Sequence, residues 1–206
     1  MIAIVDYGMG NLRSVQKALE KLGYPAVVTA EPEEIARAEK VVLPGVGAFG
    51  AAMHNLERAG LKESVLAAIH SGRPFLGICL GLQLLFSESE EMGNFTGLDV
   101  VPGRVIRFPE EMRIEDRLLK IPHIGWNALR PHADSRLFQG IPAGSRVYFV
   151  HSFYGAPTDP AWVAASSDYG IEFCAAVERG NVFATQFHPE KSGAVGLRIL
   201  RNFAAV

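Results

Sequence analysis

PFLGICLGLQLLFS, residues 74–87, is the stretch on which the fold turns. Its first half is a short apolar run opening on a proline, which reads as a buried strand. Its second half, LGLQLLFS at 80–87, reads as a helix. The two meet at Cys79 with no loop between them. The same alternation runs through everything upstream. IAIVD at 2–6 is a strand, closed by a tight turn at Tyr7-Gly8-Met9-Gly10. Asn11 stands where a helix cap belongs. Leu12, Val15, Leu19 and Leu22 then recur at helical spacing until Gly23 stops them. Further strands fall at 25–29 and 40–43, the latter ending at Pro44-Gly45, and helical patterns at 48–57 and 61–71. Strands alternating with helices predict an α/β fold, with a mostly parallel central sheet covered by helices on both faces.

Beyond residue 92 the texture changes. Short apolar runs at 103–107, 123–129, 146–150, 161–165, 171–177 and 181–187 are separated by Gly, Pro, Asn and Asp. They read as additional strands of the C-terminal half, several of them antiparallel. A last helix at 193–204 carries Val195, Ile199, Leu200 and Phe203. The charged segment PEEMRIEDR, 109–117, reads as a solvated loop. No repeat or low-complexity linker divides the 206 residues, so a single domain spanning 1–206 is expected.

Composition excludes several classes of function. With 20 Lys and Arg against 22 Asp and Glu, no basic excess points to nucleic acid. No run of apolar residues is long enough for a transmembrane helix, so no membrane is expected. The N-terminus lacks the basic region of a signal peptide. Two isolated cysteines fit a reducing compartment, hence the cytoplasm, better than a disulfide scaffold.

Gly77-Ile78-Cys79-Leu80-Gly81 places a nucleophilic side chain at a strand-to-helix junction, with glycine two residues to either side. This is the thiol version of a nucleophile elbow. The glycines leave room for a crowded backbone, and a helix N-terminus favours the thiolate. On the pentapeptide alone, a catalytic thiol and a small core residue both remain open. Cys174 lies in the run Ile171-Glu172-Phe173-Cys174-Ala175 and reads as a strand residue.

A catalytic cysteine needs a base, and the base an orienting group. Of six histidines, His188 stands out, in Thr185-Gln186-Phe187-His188-Pro189-Glu190. Pro189 biases His188 toward extended backbone, where residues i and i+2 share a side. His188 and Glu190 would then stand side by side, the carboxylate holding the imidazole's tautomer. Alone, the segment also reads as a surface turn. Beside the elbow it supplies the missing half of one machine. His54 and His70 sit on helical patterns as surface residues. No two histidines show zinc-ligand spacing, so no metal is expected.

Gly45-Val46-Gly47-Ala48-Phe49-Gly50 spells G-x-G-x-x-G after a strand. A dinucleotide loop is one reading. Yet it follows the third strand, and Pro44 stands at its head. As a flexible turn beside the elbow it fits better. Acyl transfer needs two amides aimed at the oxyanion. Leu80, directly after the nucleophile, offers one. Val46 or Gly47 offers the other, and glycine on both sides of Val46 would let that peptide rotate.

Together, Pro44-Gly45, Gly77-Ile78-Cys79-Leu80-Gly81-Leu82-Gln83 and Phe187-His188-Pro189-Glu190 resemble the class I (triad) glutamine amidotransferases, over almost the whole chain. Three further stretches resemble the glutaminase subunits of imidazole glycerol phosphate synthases within that family. These are Val5-Asp6-Tyr7-Gly8-Met9-Gly10-Asn11, Pro122-His123-Ile124-Gly125-Trp126-Asn127 and Tyr148-Phe149-Val150-His151-Ser152-Phe153. The resemblance implies Cys79 as nucleophile, His188 as base and Glu190 as orienter. It implies Gln83 and Glu91, with the backbone of His151, Ser152 and Phe153, as the glutamine pocket. It places Asn11, His123, Trp126, Asn127 and Lys191 toward a partner. That partner would be a (β/α)₈ cyclase forming a heterodimer and receiving ammonia for histidine biosynthesis. No cofactor is implied.

Overall fold

The computed structural model describes residues 1–206. In chain order the elements are β1 (Ile2–Val5), α1 (Leu12–Lys21), β2 (Ala26–Thr29), α2 (Pro32–Arg37), β3 (Lys40–Gly45), α3 (Phe49–Arg58), α4 (Lys62–His70), β4 (Phe75–Cys79) and α5 (Leu80–Gln83). They continue with β5 (Phe86–Ser89), β6 (Phe95–Thr96), β7 (Val101–Arg107), β8 (Arg113–Ile114), β9 (Arg117–Leu118), β10 (His123–Ala128), β11 (Arg130–Pro131) and β12 (Arg146–His151). The last are β13 (Phe153–Pro157), β14 (Val163–Asp168), β15 (Glu172–Arg179), β16 (Val182–Thr185) and α6 (Gly193–Ala205).

Eight strands form the central sheet, in the order β11-β14-β15-β16-β4-β3-β1-β2. From β2 to β16 every neighbouring pair is parallel. β15, β14 and β11 extend it antiparallel. This is the mixed architecture read from the sequence. The long apolar runs follow from burial on both faces, which leaves a strand no polar side. In β1, Ala3 and Val5 enter one core with Ile35, Phe49, Leu56 and Val65, whereas Ile2 and Ile4 enter the other with Val15, Leu19, Ile199 and Phe203. Hence α2, α3 and α4 cover one face, and α1 and α6 the other. A second sheet, β13-β7-β5-β6, and a ribbon, β10-β12, stand beside this layer.

β4 lies between β3 and β16, with Gly45 in register with Cys79 and Thr185 with Ile78. Cys79 therefore sits at the carboxyl end of a central strand, where open α/β sheets place their ligands.

The helix expected over 80–87 is a single turn, Leu80–Gln83. The carbonyls that would continue it are taken from elsewhere: Leu84 O accepts from Leu98 N at 2.8 Å, and Leu85 O from Val100 N and Val101 N at 2.9 Å. Phe86–Ser89 is then captured as a strand by β7. α2 and β13 were not read from the sequence. Asn11 occupies the cap position of α1 but its side chain makes no capping hydrogen bond. The charged segment is exposed as expected, yet it holds the hairpin β8-β9, anchored by buried Met112. No helix is long and apolar enough to cross a membrane.

Candidate active site

Cys79 is built into a strained turn. Its backbone stands at φ 56° and ψ −109°, a region L side chains avoid. The surroundings hold it there. A Cβ on Gly77 would come within 2.6 Å of the Gly81 carbonyl oxygen, and one on Gly81 would overlap the Leu43 carbonyl oxygen. Only glycine at both positions lets β3, β4 and α5 close around the cysteine. Only one turn of helix, Leu80–Gln83, follows it. The polar group set against it is an imidazole.

His188 is extended, at φ −96° and ψ 98°, with its N–H donating to the Tyr148 carbonyl at 3.0 Å. Ser192 Oγ donates to the His188 carbonyl at 2.6 Å and accepts from Tyr148 N at 3.0 Å, locking the segment to β12. His188 Nδ1 meets Glu190 Oε1 at 2.8 Å. The carboxylate does not arrive by strand alternation. It returns through a tight 3₁₀ turn, Pro189–Lys191, because Pro189 opens such a turn readily. Nε2 is buried without a hydrogen-bond partner in the resting site, on the side of the ring that the charge of Cys79 influences. Burial alone would lower the His188 pKa. Interaction with Cys79 and Glu190, with their negative charges, overcomes it and raises the pKa from 6.5 to about 9. The resting site therefore favours a protonated His188 beside Cys79.

A cleft of about 250 Å³ opens over this pair. Val46, Gly47, Cys79, Leu80, Gln83, Glu91, Val150, His151, Ser152, Phe153, His188 and Lys191 line it. Every residue expected in the oxyanion hole and substrate pocket thus shares one cavity, with Glu190 behind His188. Gly47 is held at φ +96°, a conformation that favours glycine, and lines the same cleft as Cys79. The amides opening α5 have no partner within the helix, so Leu80 N–H is suited to receive an oxyanion.

The pocket's polar groups are held by their own network. Gln83 Nε2 donates to the Phe153 carbonyl at 3.0 Å and to Gln186 Oε1 at 3.1 Å. Glu91 Oε2 accepts from Phe49 N at 2.8 Å, capping α3, where Ala48 offers no side-chain cap. One carboxylate oxygen is therefore committed before any ligand arrives. His151 Nδ1 contacts the Phe153 carbonyl at 2.8 Å, and its Nε2 meets His123 Nδ1 at 3.1 Å. A carbonyl only accepts, so His151 carries its proton on Nδ1 and accepts on Nε2. His123 then donates from Nδ1 and accepts from Asn127 Nδ2 at 3.4 Å. Burial lowers the pKa of His123 to about 4 and of His151 to about 3, so both rings are neutral. The relay ends on the Phe153 carbonyl that also holds Gln83.

The residues expected at a partner surface divide. Along β10, side chains alternate. Ile124 and Trp126 face outward, with Trp126 48% exposed. His123 faces inward, a correction to its expected surface placement, whereas Asn127, on the same side of β10, stays partly exposed. His123 is buried between the rings of Phe149 and Tyr169, at 4.9 and 3.9 Å, and Asn127 Nδ2 donates to the Asp168 carbonyl at 2.7 Å. Asn11 is partly exposed, and Lys191 is exposed at the rim of the cleft. His54 and His70 are exposed and Cys174 is buried, as expected.

Two site residues escaped the sequence reading. Gln186 is fully buried, with Nε2 3.9 Å from Cys79 Sγ. A polar residue inside an apolar run, two before the histidine, was a usable signal. Tyr7 packs behind Gly45, and nothing in its local sequence reveals that.

The chain is 60% identical over 203 residues to the imidazole glycerol phosphate synthase subunit HisH of Syntrophotalea carbinolica, covering 98% of each chain. It is 52% identical over 206 residues to the HisH subunit of Geobacillus thermodenitrificans, covering 100% of this chain and 96% of the other. The structure of PurLQS from Thermotoga maritima shares the fold, with a TM-score of 0.76 at 19% identity over 99% of this chain and 97% of that one. The family glutamine amidotransferase class-I matches residues 3–206. With its elbow cysteine, its His188–Glu190 pair and these full-length likenesses, the chain belongs to the class-I glutamine amidotransferases, in the branch of the HisH subunits of imidazole glycerol phosphate synthase.

Proposed function

We propose that residues 1–206 act as one glutaminase unit that hydrolyses glutamine to glutamate and ammonia and passes the ammonia to a (β/α)₈ cyclase subunit. The observation that carries this reading is the strained Cys79 facing an imidazole whose other nitrogen is tied to a buried carboxylate. The Cys79 thiolate attacks the side-chain amide carbon of glutamine. The Leu80 amide and an amide of the 45–47 turn hold the oxyanion. His188 gives its proton to the departing nitrogen, and ammonia leaves a thioester behind. The neutral imidazole then takes a proton from water, whose hydroxide releases glutamate and restores the thiolate. Glu190 keeps His188 in the one tautomer that presents Nε2 to sulfur. No cofactor takes part.

Ammonia released into water would protonate and lose its nucleophilicity. That chemistry calls for a sealed transfer to a partner, and the relatives are themselves named as subunits. Trp126 and Ile124 on the outer side of β10, with Asn11 and Lys191, supply the docking face, since an exposed tryptophan is a common interface anchor. Two free cysteines suit work in the reducing cytoplasm. The test is glutamate release by this chain alone, then with the cyclase subunit and its nucleotide ligand, each beside Cys79→Ala. Low basal release that rises with the partner and vanishes in Cys79→Ala is expected. Partner-independent release would remove the subunit assignment, and release surviving in Cys79→Ala would overturn the mechanism.

A further inference from the structure

The loop after β1 packs directly against the back of the 44–47 turn. A Cβ on Gly10 would lie 3.4 Å from Pro44, one on Gly47 would lie 2.7 Å from the Met9 terminal methyl, and one on Gly45 would lie 2.5 Å from the Tyr7 hydroxyl. The same point on Gly45 is 2.9 Å from Leu80 Cβ and 3.1 Å from Gly81 N, so the hydroxyl, the end of β3 and the first turn of the elbow helix meet around one point. Tyr7 is buried, and its hydroxyl has no hydrogen-bond partner. Such a group destabilises the fold, and phenylalanine would fill the space without it. Burial, and next the nearby Cys79 charge, raise the Tyr7 pKa, so the group stays a protonated donor.

We propose that Tyr7 is a positioning residue for the oxyanion turn: its hydroxyl donates to the Gly45 carbonyl when the Gly45–Val46 peptide rotates to aim the Val46 N–H into the cleft. A peptide's N–H and C=O point in opposite directions. Bringing the amide toward substrate therefore drives the carbonyl back, toward the wall where Tyr7 waits. Gly45 and Gly47 give the peptide the freedom to turn. The hydroxyl is unpaired in the resting site because its partner is presented only in the active one. This extends the glutaminase reading above and rests on it.

The test is Tyr7→Phe, which keeps the ring and removes one oxygen, assayed in the complex with the cyclase subunit and its nucleotide ligand. Partner-activated kcat for glutamine hydrolysis should fall about tenfold, the scale of one hydrogen bond, with KM unchanged. The melting temperature should rise, because a buried orphan is gone. The pH dependence of Cys79 alkylation by iodoacetamide should not move. Unchanged kcat with a raised melting temperature would reduce Tyr7 to packing and overturn the proposal. So would an alkylation profile shifted to higher pH, which would assign the hydroxyl to the thiolate instead. A wild-type complex without Cys79-dependent glutamate release would overturn the glutaminase reading itself, and is seen in the same assay.

Discussion

His188 Nδ1 and Glu190 Oε1 stand 2.8 Å apart, with side chains 2% and 0% exposed. An imidazolium in that position has no water to fall back on. Glu190→Gln keeps the shape and removes the charge, leaving His188 buried without its counter-ion. Glutamate release in the complex should fall about 10²–10⁴-fold, while the circular dichroism spectrum stays that of the parent. Activity within a few-fold of wild type would show that His188 needs no orienting carboxylate.

Gln186 links Cys79 to Gln83 in the wall of the cleft, contacting Cys79 Sγ through Nε2 and accepting from Gln83 through Oε1. Gln186→Leu leaves Gln83 with the Phe153 carbonyl alone. The expected result is a loss of roughly tenfold in kcat/KM, the scale of one hydrogen bond. Steady-state kinetics of the complex at varied glutamine would check it.

Strain at Cys79 has a signature in stability. At φ 56° a glycine is comfortable and an alanine is not. Cys79→Gly should therefore melt above Cys79→Ala, by about 1 kcal/mol or more in unfolding free energy, although glycine is ordinarily the weaker substitution. Both should be inactive. Urea denaturation of the pair decides it, and equal midpoints would argue that the elbow is relaxed.

Gly81→Ala should act on the scaffold first. Its methyl would enter the space of the Leu43 carbonyl oxygen on β3, and neither backbone segment can retreat. A loss of roughly 1–3 kcal/mol is expected, read from the urea midpoint, together with loss of activity as the elbow shifts.

The histidines shape the dependence of stability on pH. His188 titrates at about 9 in the folded chain against 6.5 in an unperturbed one. Between those values the folded state holds a proton that the unfolded chain has lost, so stability falls as pH rises through the window. His123 and His151, at about 4 and about 3, behave oppositely. Below pH 6.5 the unfolded chain takes up protons first, so stability falls as pH drops. The melting temperature should peak near pH 6.5 and decline on both sides. His188→Gln should flatten the alkaline arm alone.

Local pattern carried much of this molecule. Apolar runs without a polar side announced the parallel strands, since burial on both faces leaves no other composition. Gly-x-Cys-x-Gly at the end of one such run marked the elbow, because only glycine fits the two flanking positions. Where a residue's conformation was decided by distant backbone, the pattern misled. Leu84 and Leu85 belong to a good helical sequence, yet Leu98, Val100 and Val101 claim their carbonyls. Local propensity is worth tenths of a kcal/mol per residue and yields readily to such ladders.

The site divides in the same way. Cys79, His188 and Glu190 could be singled out as candidates from two local motifs and the family resemblance they carry, because each chemical role demands a residue type beside a recognisable backbone feature. Their meeting could not. Cys79 and His188 lie 109 positions apart in the chain, and only the parallel pairing of β4 with β16 brings the ends of their strands together. The inward turn of His123, the commitment of one Glu91 oxygen to Phe49 and the orphaned hydroxyl of Tyr7 belong wholly to tertiary structure. Each depends on which neighbour packs against it, and a linear sequence records the side chains but not the surfaces they meet.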